Sequence, residues 1–312
     1  MSGKILSASG YRPYDYLSSP IFVDGFLADF YPVSLATSIT ESVVESTRVK
    51  HGQEYIFRKR PRAEWFDYRK NQRMEPTDLT VETVSMVVGR AKGFLLKVDA
   101  LDEMTLPDFD MYIAEWRKDA NERLALSMDT NIINTMVHQA SACNKGNAAG
   151  VKYGNLQLGV TGAPVAINKD NILTYLMYLG IVLDEQNAPK QNRFVILPAQ
   201  AQVALQSNPM FMSQCASGSK PLILADVVPN LAGFKIYFSA NAPAYNDPSG
   251  KIAFPIVAGV KNATYFAMGM QDTKAGVEDV TSWGKYWKGL AVFDWKVVRP
   301  EFLAVAYATI QI

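Results

Sequence analysis

The sequence predicts a mixed α+β fold, and three observations carry the prediction. Between Leu106 and Val137, apolar side chains recur at Phe109, Ile113, Trp116, Ala120, Leu124, Met128, Ile132 and Met136, the spacing of three and four that marks one face of an α-helix. Residues 48–98 instead alternate apolar with polar, the period of half-buried strands. From residue 168 onward helical patterns and short apolar runs take turns, and the chain closes on two strands, as in a sheet flanked by helices.

The first 47 residues carry Pro13, Pro20 and Pro32 among Tyr11, Tyr14, Tyr16, Phe22, Phe26, Phe30 and Tyr31. A short helix fits Asp24 to Phe30. Aromatics at this density need a surface to cover them. Two readings follow: an arm that docks on another body, or a leading segment packed on its own domain. Next, GQEYIFRKR and LTVETVSMVV, the latter extended by GFLLKV, read as two long antiparallel strands around the turn-rich, charged connection PRAEWFDYRKNQRMEPTD. A two-stranded ribbon is marginal by itself. Nothing in its sequence supplies a second layer, so it is expected to rest on another surface.

The long helix has Thr105 as candidate N-cap and Pro107 at a first helical position, where its missing N–H costs nothing. Asp108 and Asp110 sit near the positive end of its dipole. At 1.5 Å per residue it runs about 45 Å, and Gly146 and Gly150 lie beyond the pattern to stop it. Glycine-rich residues 141–167 follow as loop. In NKDNILTYLMYLGIVLDEQN, Asn168 or Asp170 is the candidate cap, and Ile172, Tyr175, Leu176, Leu179 and Leu183 share a face. RFVILP reads as a buried strand, AQAQVALQ as a helix opened by Pro198, and LAGFKIYFSANAP, KIAFPIVAGV and ATYFAMGM as further strands. The tail, YWKGLAVFDWKVVRP and EFLAVAYATIQI, is two strands joined at Pro300, expected to pair as a small sheet beside the long helix. The expected organisation is an arm (1–47), a ribbon (48–98), a peripheral domain of long helix and closing strands (99–145 and 285–312), and an inserted α+β domain (146–284).

Composition narrows the function classes. Hydrophobic residues are 48% and charged residues 20% of 312, the balance of a folded soluble chain. A net charge of +1 supplies no global field for nucleic acid or membrane. There is no apolar leader and no run of eighteen apolar residues, so neither a signal peptide nor a transmembrane helix is expected. Cys143 and Cys215 fit no metal or redox spacing and read as free thiols in a reducing cytoplasm.

Charge is nonetheless uneven along the chain. From Arg48 to Arg73 nine basic residues (Arg48, Lys50, Arg58, Lys59, Arg60, Arg62, Arg69, Lys70, Arg73) face three acidic ones. From Asp99 to Asp129 nine acidic residues (Asp99, Asp102, Glu103, Asp108, Asp110, Glu115, Asp119, Glu122, Asp129) face three basic ones. A basic ribbon before an acidic helix fits contact between them, within a chain or between copies. It also fits plain solvated charge, worth about 0–1 kcal/mol per exposed pair. A third reading is a nucleic-acid patch with Trp65, Phe66 and Tyr68 for stacking.

The chain lacks GxGxxG after a strand, GxxxxGK[ST], HExxH, GxSxG and CxxC. His51 and His138 are its two histidines, and nothing pairs with them in sequence. Asp99, Asp102 and Glu103 could hold a cation, yet acid at the start of a helix has a simpler explanation in the dipole. No residue argues for catalysis, a metal or a cofactor, and an enzyme of unrecognised type is kept as a third function class.

The order of parts then becomes informative. GRAKGFLLKVDALDEM leading into DFDMYIAEWRKDANERLALSMDTNII resembles the return strand of an extended loop entering the spine helix of the tailed-bacteriophage major capsid proteins, the Hong Kong 97-type fold. NILTYLMYLGIVLDEQNAPKQNRFVILPAQAQVALQSNPMF resembles that family's axial-domain helix and its strand–Pro–helix unit, and LAGFKIYFSAN the glycine-led strand that follows. The resemblance covers nearly the whole chain in order, through motifs that are individually degenerate.

The resemblance implies self-assembly into pentamers and hexamers that close an icosahedral shell around packaged double-stranded DNA, inside a host bacterial cytoplasm. It implies an extended loop lying over one neighbour and an arm reaching across another. The inter-copy candidates are Arg58, Lys59, Arg60, Arg62, Trp65 and Phe66 on the ribbon. Asp102, Glu103, Asp119 and Glu122 at the spine helix are their expected counterparts. With fewer than fifty residues before the ribbon, a separate scaffolding protein is expected, along with a portal protein. An encapsulin-like compartment of the same fold is the alternative.

Overall fold

The computed structural model describes residues 34–43, 49–59, 65, 67, 69–70, 81–100, 109–208, 231–278 and 283–311. The predicted helix at Asp24–Phe30 and the helix-start residues Thr105, Pro107 and Asp108 lie outside these.

The long helix, here α2, spans Phe109–Gln139. It buries Ile113, Ala125, Met128, Ile132, Ile133 and Met136. Arg117, Asn121 and Asp129 are buried with them, so the inner face is more polar than its apolar periodicity suggests. Before it come a short helix α1 (Ala36–Ile39), β1 (Glu41–Ser42), β2 (Glu54–Arg58), β3 (Thr83–Val87) and β4 (Arg90–Asp99). After it come β5 (Val165–Ile167), α3 (Ile172–Glu185), β6 (Arg193–Pro198), α4 (Gln200–Gln206), β7 (Lys235–Ser239), β8 (Tyr245–Asn246) and β9 (Ile252–Val260). β10 (Thr264–Glu278), β11 (Gly284–Val297) and β12 (Leu303–Ile310) complete the chain.

Two sheets organise the molecule. One runs β1-β10-β11-β4, the other β5-β12-β9-β6-β7 with β8 on β9. α3 and α4 bury Ile172, Leu176, Leu179, Leu183, Ala201 and Leu205 on the second sheet. β6 is buried at every residue, as its unbroken apolar run predicts. The carboxy-terminal half of α2 packs between the sheets, with Met128, Ile132, Ile133 and Met136 against Phe194, Ile196 and Val257 of one and Phe266, Phe293 and Trp295 of the other. Ahead of α3, the Asn168 side chain accepts the amides of Asp170 and Asn171, and the Asn171 side chain accepts that of Asn168. The helix itself begins after Asn171, so of the two candidate caps Asn168 is the one that organises the turn.

Two sequence-based expectations are corrected. GFLLKV does not extend the ribbon. Val88 still bonds to the ribbon, its amide to the Gln53 carbonyl and its carbonyl to the Gly52 amide. The Gly89 amide then turns to the Asp294 carboxylate at 3.1 Å, and from Arg90 the chain pairs with β11. Nor do the closing strands pair with each other. β11 lies between β10 and β4, whereas β12 joins β9 and β5. The Pro300–Phe302 turn thus passes the chain from one sheet to the other.

Candidate inter-subunit surfaces

The first sheet has two faces with different fates. Phe94, Leu96 and Val98 of β4 face α2: Phe94 meets Trp116 edge-on with ring centroids 5.4 Å apart, and Val98 packs with Ile113 and Trp287. Lys92 reaches across to the Ser127 hydroxyl. Arg90 stacks its guanidinium 3.8 Å over the Trp295 ring. Side chains alternate along a strand, so Leu95 and its cross-strand neighbourhood on β11 face the other way. Leu95 is 64% exposed and Leu290 is exposed beside it.

On that outer face the ribbon finds part of its second layer. β2 and β3 pair antiparallel from Glu54↔Val87 to Arg58↔Thr83. Their inward residues Tyr55, Phe57 and Met86, with Val49 and Val88, pack on Ala267 and Val292, and Phe57 stacks on Tyr265 at 4.4 Å. The ribbon thus rests on another surface, as its sequence leads one to expect, and at its root that surface belongs to its own chain. Beyond the root, Ile56 and Val87 point outward and are exposed, and Trp65 is 96% exposed.

The candidate contact residues fall unevenly. Arg58 and Trp65 are exposed on the ribbon, and Glu122 is exposed on α2; Arg58 and Glu122 have no ion-pair partner among the described residues. Lys59 pairs within the chain to Glu82 at 3.2 Å. Asp119 pairs one helical turn on to Arg123 at 2.8 Å. Both are solvent-exposed pairs worth a few tenths of a kcal/mol each, about 0.2–1, so a neighbour could exchange them at small cost. Arg60, Arg62, Phe66, Asp102 and Glu103 lie outside the described residues.

Sequence reasoning missed Asp129. Its carboxylate accepts the Ser34 hydroxyl and the Leu35 and Ala36 amides, each at 2.9 Å. It thereby fastens the segment leading into β1 to the middle of α2, with Ala36 and Ile39 fully buried behind it. Burial pushes the Asp129 carboxyl above its ordinary 3.8, and the three hydrogen bonds pull it only partly back. The folded state therefore holds this proton more tightly than the unfolded one. The group's contribution to stability is full below the ordinary value and declines as pH rises through the raised folded value. Asp129→Asn, which cannot titrate, is expected to flatten that part of the curve when urea unfolding is followed from about pH 4 to 7. A wild-type profile unchanged by the substitution would contradict the assignment.

No family model and no curated protein sequence matches the chain. Solved structures do. A chain of Mycobacterium phage Che8 is 17% identical, covering 87% of this chain and 90% of its own at a TM-score of 0.59. The capsid structure of the cyanophage P-SCSP1u is 15% identical over 85% and 86% at 0.60. The mature capsid of bacteriophage PhiM1 is 12% identical over 89% and 87%, also at 0.60. Identities this low speak for fold alone, and on that ground the chain has the Hong Kong 97-type fold of phage capsid structures.

Proposed function

We propose that this chain is the major subunit of a phage capsid: copies assemble into pentamers and hexamers that form an icosahedral shell around double-stranded DNA. The supporting observation is end-to-end likeness to phage capsid chains, with nearly all of both chains covered; those chains favour the capsid reading over the encapsulin-like one. In this reading α2 and the β1-β10-β11-β4 sheet form the peripheral domain. α3, α4 and the other sheet form the axial domain, so β12 falls in the axial domain and β10 in the peripheral one, the reverse of the division expected from the sequence at 99–145 and 285–312 against 146–284. A scaffolding protein and a portal protein complete the assembly in the host cytoplasm, and the virion capsid is its destination. With a net charge of +1, contacts to DNA phosphate are local and weak.

Electron microscopy of the purified full chain tests this directly. Closed particles or capsomer rings are expected, and a stable monomer at high concentration would overturn the reading.

The ribbon contact is the finer part of the proposal. Arg58, with Lys59, Arg60 and Arg62, lies over Glu122 and Asp119, or over Asp102 and Glu103, of the next copy, and Trp65 and Phe66 cover its apolar surface. Arg58→Glu and Glu122→Arg are each expected to reduce assembly yield, and the double reversal to restore it. Wild-type assembly should weaken as salt rises past about 0.15 M, where the Debye length is about 8 Å. Assembly indifferent to both reversals and to salt would rule this contact out.

A further inference from the structure

Resting on the shell reading, we propose that Tyr153 of one copy seats in a cleft beside α3 of the next copy, a head-to-tail contact that closes the capsomer ring.

The projecting part is residues 150–154, bracketed by Gly150 at φ +105° and Gly154 at φ +64°. Glu185, the last residue of α3, accepts the amides of Lys152 at 2.9 Å and Tyr153 at 3.2 Å. Gly150 has a φ that L side chains rarely adopt, and a Cβ there would lie 3.2 Å from the Gly154 amide nitrogen, so glycine suits this loop. The result is an exposed tyrosine, 65% accessible, on a loop fixed by two charge-assisted hydrogen bonds. Its hydroxyl has no partner among the described residues. Ordering that a flexible loop would undergo on binding is already complete here.

The receiving part is a cleft of about 270 Å³ on another flank of the same helix. Met177 and Ile181 form its lips, and Met177 is 55% exposed. Gly180 and the Ala232–Gly233 turn form the floor. The wall is polar: Asp184 takes Arg193 on one carboxylate oxygen at 2.6 Å, and its other oxygen lies 4.0 Å from the Lys190 ammonium.

A cavity of about 150 Å³ admits a benzene ring, so a phenol fits. Apolar lips with a polar wall suit a side chain that has an aromatic body and a polar tip. The Met177 sulfur gains from a ring edge, and the tyrosine hydroxyl can donate to the second Asp184 oxygen. Being neutral, tyrosine leaves the Asp184–Arg193 pair compensated, whereas an incoming charge would not. Asp184 and Glu185 are adjacent and so about 100° apart round the helix: one faces the cleft and the other holds the loop. The two patches therefore sit on different flanks. Contact between unlike patches is heterologous, and it builds rings when the rotation closes.

The test uses the full chain with Cys143→Ser and Cys215→Ser. In that background Lys152→Cys combined with Lys190→Cys, which leaves Tyr153 and the cleft lips in place, is bridged by a bifunctional thiol reagent after assembly. Covalent ladders extending to the size of a ring are expected, with none from either single-cysteine variant. Tyr153→Ala should raise the concentration at which particles form by at least about tenfold, and should leave unfolding of the unassembled chain unchanged. Particles that form normally yet give no ladder overturn the contact and leave the shell reading intact. An unmodified chain that forms neither rings nor particles overturns the shell reading, and the contact with it.

Discussion

Gly159→Ala is expected to destabilise the chain by about 3–5 kcal/mol, through two effects that add. Gly159 sits at φ +81°, where an L side chain is strained. A Cβ there would also lie 2.1 Å from the Tyr307 carbonyl oxygen and 3.0 Å from the Val165 amide nitrogen. Neither atom is the far end of a flexible side chain. Both are backbone, and β12 pairs with β5 at this end of the sheet. The adjacent Leu158 carbonyl accepts the Tyr307 amide at 2.7 Å, so moving β12 away would break a bond one residue along. Gly162 is the built-in control. Its φ is +90°, yet a Cβ there meets nothing within 4 Å, so Gly162→Ala should cost only the strain, about 1–2 kcal/mol. Urea unfolding of the unassembled chain measures both. Equal losses for the two substitutions would show that the close approach of β12 contributes nothing.

The contrast between these glycines also shows what a sequence can and cannot disclose. Both stand in a glycine-rich loop, and nothing local distinguishes them; the difference is a strand that arrives almost 150 residues later. The same holds for the strand after Gly89. Alternation with a period of two says that 90–99 is a strand, but it reads alike whether the partner is β3 or β11, so the change of sheet was invisible. The closing strands were legible as strands for the same reason, and their separation into two sheets was not. What local pattern does encode came through: α2 and α3 from their spacing of three and four, β6 from a continuous apolar run, α4 after Pro198. Of the candidate contact residues that charge and aromatic content single out, Arg58, Trp65 and Glu122 are exposed. The role of Asp129 was not legible, because a carboxylate on an acidic helix gives no sign that it faces inward to the amides of residues some 94 positions earlier. Polar residues with buried, long-range duties are where reading from sequence fails, and they repay substitution most.

Asn144 is the sharpest of these, and removing its side chain is expected to cost about 3 kcal/mol. It lies just beyond α2 in a 3₁₀ turn, Ala142–Asn144, and is fully buried. Its amide donates to the carbonyls of Glu301 at 2.7 Å and Leu303 at 2.8 Å, and its oxygen accepts the Gln186 side chain at 3.1 Å. The Ser141 amide adds a bond to the Pro300 carbonyl at 3.1 Å. One side chain thus joins the exit of α2, the passage from β11 to β12 and the end of α3, which is where the two sheets are connected. Asn144→Ala deprives two carbonyls of their donor and leaves a void. Asn144→Asp keeps the volume but turns a donor into an acceptor facing those same carbonyls, and among the described residues the groups bonded to this side chain are two carbonyls and a neutral amide, none of them a cation. At neutral pH the aspartate should therefore be the worse of the two, by the 3–5 kcal/mol scale of an uncompensated buried charge. It should recover in part as acid neutralises it. Gln186→Ala removes one donor only and should cost about 1 kcal/mol. The order aspartate, alanine, Gln186→Ala in unfolding free energy, with the aspartate alone improving in acid, is what a two-donor clamp requires. A size-filling role for Asn144 would instead make the aspartate the mildest change.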